Sequence, residues 1–283
     1  MMTQVSIIPT LHIWSNQLLF VGAYKIPYRE HQVVSDKLMI STQGEMKITL
    51  EDGSQISTRT CLTKAGAILN DQYIDANNAI MAIYYLAPLT QDYSALESQM
   101  VKAHEGLHYD HPQDDLLIQQ LLDIRNESLS PEQAYLELRD FIVPPQLHSV
   151  VFREFDPRII EVVRRIRETV RDNLSVSEFA KEAHLSESRL DKLFKEQMGV
   201  PITKYRLRYR VFIGIVQLAL GRSVTDAAHA AGFASTAHFS KSFSAINGIP
   251  PSATFLRPPF LNVLIAEEVL GMMKAGSTIA ESK

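Results

Sequence analysis

Two short stretches of this 283-residue chain carry hydrogen-bonding side chains at helical spacing, and the chemistry they suit is the reading of nucleic-acid base edges. The first stretch holds Ser188, Arg189, Asp191 and Lys192, with Leu190, Leu193 and Phe194 turned the other way. The second holds Thr236, Ala237, His238 and Lys241, with Phe239 and Phe243 as its inward face. Lys192 and Lys241 can donate to guanine O6 and N7, Asp191 can accept from cytosine N4, and Thr236 or Ala237 suits a thymine methyl. Asp191 equally suits an ion pair with a neighbouring arginine. Lys195, Lys204, Arg206 and Arg208 are candidates for phosphate contacts, which position a protein on DNA without specifying sequence.

Covalent and metal chemistry find little support. Cys61 is the sole cysteine, so an intramolecular disulfide or a thiolate cluster is excluded. His104, His108 and His111 have spacings that a metal site uses, but Gly106 and Pro112 interrupt the helix that would present them on one face. No catalytic residue, metal or other cofactor is expected.

The elements that must position the base-reading candidates are written twice. Ser175 to Gly199 and Ser223 to Gly248 repeat one pattern 48 residues apart: Val176, Glu178, Ala183 and Leu185 answer to Val224, Asp226, Ala231 and Phe233. Ser175 with Glu178, and Ser223 with Asp226, pair a capping hydroxyl with a carboxylate three residues on, which predicts a helix start at each. Ser186 and Ser235 cap a second helix after a short turn, and Gly199 and Gly248 stand where a left-handed terminator belongs. Each copy therefore reads as a helix-turn-helix. Thr203 to Leu220 lacks proline, and as a helix it spans roughly 27 Å. With the widths of the two units added, the second helices fall about one DNA turn, ~34 Å, apart.

Charge separates this reading from that of a protein-binding helical repeat. The whole chain has a net charge of −4, yet residues 153 to 257 hold 17 Lys and Arg against 11 Asp and Glu, and residues 1 to 152 hold 9 against 18. The basic part is the one with the paired motifs.

On these residues, 153 to 257 resemble the DNA-binding domain of the AraC/XylS family of bacterial transcription regulators. The resemblance is carried by Phe194, Gly199, Pro201, Tyr205 and Arg210, and by Asp226, Ala227, Ala228, Gly232, Phe233, Phe239, Phe243, Gly248 and Pro251. Gly214 departs from the family's usual alanine, Ser244 from a common lysine, and Thr254-Phe255 from the aromatic-arginine pair that closes the motif.

From Val5 to about Pro88, short apolar alternations are broken by turn residues. Strands are expected at 18–23, 37–42, 45–50, 56–62, 67–69 and 80–86, with hairpins at Gln43-Gly44 and Asp52-Gly53, as in a barrel or jelly roll. The region is similar to the cupin-like effector domains that precede AraC-type DNA-binding domains. A metal-binding cupin needs a His-x-His with a glutamate and a later histidine; the later position is Asn70. An organic-ligand pocket is the better expectation, with His12, Trp14, Tyr24, His31 and Tyr73 as candidate lining and plain core as the competing role.

Helices are expected at 114–126, with Leu117, Leu121 and Ile124 on one stripe, and after Pro131. That stripe either covers the barrel or, as the resemblance implies, joins two subunits. Val143-Pro144-Pro145 ends the second helix, and a helix over 157–171 offers Arg158, Arg164, Arg165, Arg167 and Arg171 to phosphates.

The expected class is α+β: a cupin-like β-barrel or jelly-roll sensor over 1–110, a helical pair over 111–143, a linker over 144–155, an all-α tandem helix-turn-helix domain over 156–257 and a tail helix over 258–283. No run of 18 apolar residues and no signal-peptide pattern is present, so a cytoplasmic protein that does not enter a membrane is expected. The resemblance implies a sequence-specific transcription regulator and activator that works with RNA polymerase, responds to a small organic effector or protein signal, and forms a homodimer. Two alternatives stay open: a cupin-type enzyme tethered to DNA, and a regulator whose N-terminal domain only self-associates or binds a protein antagonist.

Overall fold

The computed structural model describes residues 8–23, 33–50, 52–67, 74–75, 80–126, 129–172, 174–256 and 261–278. Tyr24, His31, Asn70 and Tyr73, and most of the expected 67–69 strand, lie outside them. The strands are β1 (Thr10–Trp14), β2 (Gln17–Ala23), β3 (Lys37–Ser41), β4 (Met46–Thr49), β5 (Gln55–Thr58), β6 (Thr60–Thr63), β7 (Ile74–Asp75), β8 (Ile80–Tyr85), β9 (Lys102–His104), β10 (Leu107–Tyr109) and β11 (Asn262–Ile265). The helices are α1 (Asp92–Gln99), α2 (Asp114–Asn126), α3 (Pro131–Ile142), α4 (Pro157–Glu168), α5 (Val176–Glu182), α6 (Glu187–Met198), α7 (Ile202–Ala219), α8 (Val224–Ala230), α9 (Thr236–Asn247), α10 (Pro251–Phe255) and α11 (Glu267–Thr278).

An eight-stranded sheet runs β11-β1-β2-β8-β3-β6-β10-β9, and a small sheet runs β5-β4-β7. Met39, Cys61, Met81 and Ile83 from the large sheet meet Met46, Ile48 and Ile56 from the small one, which closes the barrel. Burial there pushes the Cys61 thiol up to about 12, so it is inert packing. Asp52-Gly53 is the β4–β5 hairpin, as expected. Gln43-Gly44 is instead a corner: β3 pairs with β6 and β8, while β4 pairs with β5 and β7, so the chain changes sheet there.

Because directly opposed residues share a face, His12 with Leu19 and Trp14 with Gln17 lie on one side of the sheet, while Leu11 with Phe20 and Ile13 with Leu18 lie on the other. The first side is roofed by α1, α2 and α3. Leu117, Leu121 and Ile124 are all buried in that roof, so the proposed dimer stripe is ordinary core. Trp14 donates from Nε1 to the Pro131 carbonyl at 2.5 Å, and an Arg139–Asp92 ion pair, joined by Gln17, ties α3 to α1 and β2. His12 and Trp14 are thus core residues beneath α3 rather than cavity lining. Burial lowers His12 to about 4, and neither of its ring nitrogens has a hydrogen-bond partner.

Of the histidines at 104–111, His104 and His108 belong to the sheet and His111 is buried just beyond it, so the segment is not a solvated connector. His104 is on β9, His108 is on β10 with Nε2 3.1 Å from a Glu97 carboxylate oxygen, and His111 packs against Phe141. Among the described residues no cluster of His, Cys, Asp and Glu could hold a metal ion.

Candidate nucleic-acid interface and interdomain cavity

All four capping serines do what their spacing requires. Ser175, Ser186, Ser223 and Ser235 accept from the backbone amides of Glu178, Arg189, Asp226 and His238, and at Ser175 the Glu178 carboxylate returns the bond to complete a capping box. Gly199 and Gly248 terminate α6 and α9 in the left-handed region, with φ of 75° and 78°. The intervening α7 is 18 residues long, which sets the spacing of the two units.

Around the start of α6, Ser188, Arg189, Asp191 and Lys192 are exposed, as Leu190, Leu193 and Phe194 turn inward. On α9, Ala237, His238 and Lys241 are exposed and Thr236 is half-buried, while Phe239 and Phe243 are core. Each set therefore shares one outward face. Asp191 has no ion-pair partner within 4 Å among the described residues; Lys192 stands 3.9 Å from Glu196. Lys195 and Lys204 are exposed beside the first set.

Two of the expected phosphate contacts are placed elsewhere. Arg206 donates to the carbonyls of Leu174 and Asp172 and lies over the Phe179 ring, so it clamps the turn between α4 and α5. Arg208 faces the N-terminal domain, with its guanidinium over Tyr205 at 5.7 Å. The α4 arginines are also engaged: Arg158 with Asp156, Arg164 with Glu161 and Glu168, Arg165 with Glu182. Spacing shows which way a side chain leaves a helix, but the carbonyl or carboxylate waiting for it comes from tertiary structure.

Between the domains runs a feature that spacing did not reveal. An apolar cavity of about 70 Å³ is walled by Leu11, Leu18, Phe20 and Tyr85 of the sheet and by Ile215, Phe243 and Phe255 of the helical domain. A smaller space against Leu18, Tyr85 and Ile215 leads to Arg208. Arg208 is also part of a polar cavity with Asp36, Lys64, Arg153, Tyr93 and Tyr205. Desolvation raises the Asp36 carboxyl, opposed by the Ala65 amide it accepts at 2.7 Å and by Arg208, Lys64 and Arg153. Three cations against one carboxylate leave the polar cavity positive, and the small space beside Arg208 and Tyr85 lies between it and the apolar one.

Residues 179–257 match the family profile described as a helix-turn-helix domain. The HTH-type transcriptional regulator GbdR of Pseudomonas aeruginosa is 28% identical over 96 residues, which is 34% of this chain and 26% of GbdR. The chain thus covers about a quarter of that relative's length. The whole fold is that of ToxT from Vibrio cholerae. An apo form of ToxT matches with a TM-score of 0.56 at 13% identity, covering 85% of this chain and 97% of ToxT. A second ToxT structure, bound to an unsaturated fatty acid, matches with a TM-score of 0.54 at 14% identity, covering 85% and 96%. Among the described residues no helix is long and apolar enough to cross a membrane.

Proposed function

We propose that this chain is a transcription regulator that binds promoter DNA through both helix-turn-helix units and is controlled by an amphipathic acid held between its two domains. The observation that carries the reading is the cleft, apolar at the Phe20 and Phe243 end and cationic at the Arg208 end, with each domain supplying part of its wall. A ligand there contacts both domains and so discriminates between their arrangements, which is the requirement for regulation. The protein has no catalytic role; it acts in the cytoplasm beside RNA polymerase. Its homodimer contact uses the outer face of α2 and α3, where Leu116 and Leu136 are exposed.

Fluorescence anisotropy with a labelled promoter duplex tests the reading. Binding is expected to weaken with salt at a log–log slope of several units, as counterions are released from the phosphates that the exposed lysines neutralise. Sodium oleate is expected to change the affinity for DNA five-fold or more, and Arg208→Gln to abolish that response. Salt-independent binding, or none to any genomic fragment, overturns the DNA assignment; indifference of DNA binding to oleate and to shorter fatty acids overturns the effector assignment.

A further inference from the structure

After its DNA-binding domain the chain returns to where it began. β11 lies parallel to β1, with Thr10 opposite Asn262 and Ile13 opposite Ile265. The Asn262 amide donates to the Pro9 carbonyl at 2.8 Å and the Ala266 amide to the Ile13 carbonyl at 3.0 Å. The helix that follows is held at its first two residues: the Glu267 amide donates to the Glu132 carboxylate of α3 at 3.0 Å, and the Ser15 amide donates to the Glu268 carboxylate at 2.9 Å. Ala266 and Val269 are wholly buried in the core beneath. Gln217 of α7 donates to the Met273 sulfur at 3.4 Å, so the segment touches the sensor sheet, its helical roof and the DNA-binding domain at once.

This segment also borders the cleft. Leu261, at its start, stands in the wall of the apolar cavity with Leu11 of β1 and with Phe243 and Phe255 of the second unit. At about 70 Å³ the cavity takes only a few methylene groups as it stands, so a longer chain must move a wall. In the sheet wall β2 and β8 are paired on both sides by other strands of the sheet, whereas the outer side of β1 is paired only by the tail's own β11. The tail, by contrast, is held by a four-residue strand and by the contacts at the start of α11.

We propose that residues 261–278 are a regulatory clasp: docked on the outer edge of β1 they pin the second helix-turn-helix unit to the sensor domain, and filling of the apolar cavity loosens them. This rests on the cleft being the effector site, but the pinning itself does not. Among the described residues the first unit has no strand of this kind across it; its core is built on α4 to α7, with Ala65 and Leu89 of the N-terminal domain packed against it.

Two full-chain variants test the clasp, deletion of 262–283 and the milder Glu268→Ala, with hydrogen exchange and duplex binding measured on each. The deletion is expected to speed exchange of the β1 and α9 amides at least ten-fold while α6 keeps its protection, and Glu268→Ala to do the same to a smaller extent. In wild-type protein, sodium oleate is expected to reproduce the β1 and α9 pattern. Unchanged exchange at β1 and α9 in the deletion variant overturns the clasp. If the deletion loosens α9 but oleate has no effect on wild type, the pinning stands and the effector reading falls. If oleate shifts DNA affinity equally in wild type and deletion variant, the effector reading stands and the clasp is overturned. A deletion variant that does not fold leaves Glu268→Ala to decide, by the same α9-against-α6 comparison.

Discussion

The core of the first helix-turn-helix unit runs from Ile159 on α4 to Tyr205 on α7, with only Ala65 and Leu89 of the N-terminal domain packed against it, whereas Phe233, Phe239 and Phe243 of the second unit belong to one continuous core with the N-terminal sheet. Their caps, turns and terminators are near copies. What differs is the surface each leans on. The first unit meets the N-terminal domain where the Gly199 backbone approaches Ala65 and Gly66, beside Leu89, and the second meets it by aromatic packing and the returning tail. The repeat shares its local signals, and the divergence lies in the tertiary partners, so a change in the N-terminal domain reaches the second unit through a shared core and the first through a smaller contact.

Removing one core ring from each unit breaks or sharpens this contrast most. Phe194→Ala and Phe239→Ala should each cost about 3–5 kcal/mol. Calorimetry is expected to show Phe194→Ala opening the first unit while the sensor transition keeps its midpoint, and Phe239→Ala lowering both. Equal effects on the sensor midpoint would erase the distinction.

Acid supplies the next largest effect. His12 titrates about 4 in the fold against 6.5 when exposed, so the unfolded chain binds the extra proton between those values. The stability that neutral His12 contributes is complete above pH 6.5 and is lost as pH falls towards 4, by up to about 3 kcal/mol. His12→Phe should flatten that part of the stability-against-pH curve. Because the sensor and second unit share a core, amides of α9 should open before those of α6 as pH falls; the reverse order would sever the second unit from the sensor.

The equivalent terminators sharpen the contrast further. Gly199→Ala and Gly248→Ala both force a left-handed alanine, at about 1 kcal/mol. A Cβ on Gly199 would also stand 2.1 Å from the Ala65 carbonyl oxygen, so this variant should lose more stability and detach the first unit from the sensor, which limited proteolysis of the 144–155 linker would register.

The smallest contrast is at the DNA. Lys241→Ala is expected to relax base preference at one position by about 1–3 kcal/mol, and Lys195→Ala to weaken all sequences alike by less. Site selection from random duplexes separates the two, and an unchanged preferred site for Lys241→Ala removes that lysine from the reading set.

Features written in consecutive residues were legible: the four serine caps, both glycine terminators and the length of α7 follow from local spacing. Gly214 was legible as a departure from alanine, and its reason emerges only in three dimensions, since a Cβ there would stand 2.3 Å from the Phe239 ring. The arginines misled because a guanidinium looks the same whether it faces a phosphate or the Leu174 carbonyl. His12 and Trp14 stayed open between pocket lining and plain core because β1 is buried on both faces, which hides the alternation that tells one face from the other. Residues 262–265 were expected within a helix, and their strand exists only because β1 offers an edge some 250 residues away.

That last pairing also orders the life of a newly made chain. Parallel neighbours require a crossover between them, and here the crossover is almost the whole protein. At 5–20 residues per second, β1 leaves the ribosome roughly 10–50 s before its outer partner has been translated, with a row of unpaired amides and carbonyls that invites other strands. The sheet can be completed only by a chain that already carries its entire DNA-binding domain, so a product cut short by a premature stop in the second unit leaves the edge open. An exposed outer edge of β1 is therefore a property of chains that stop before residue 262.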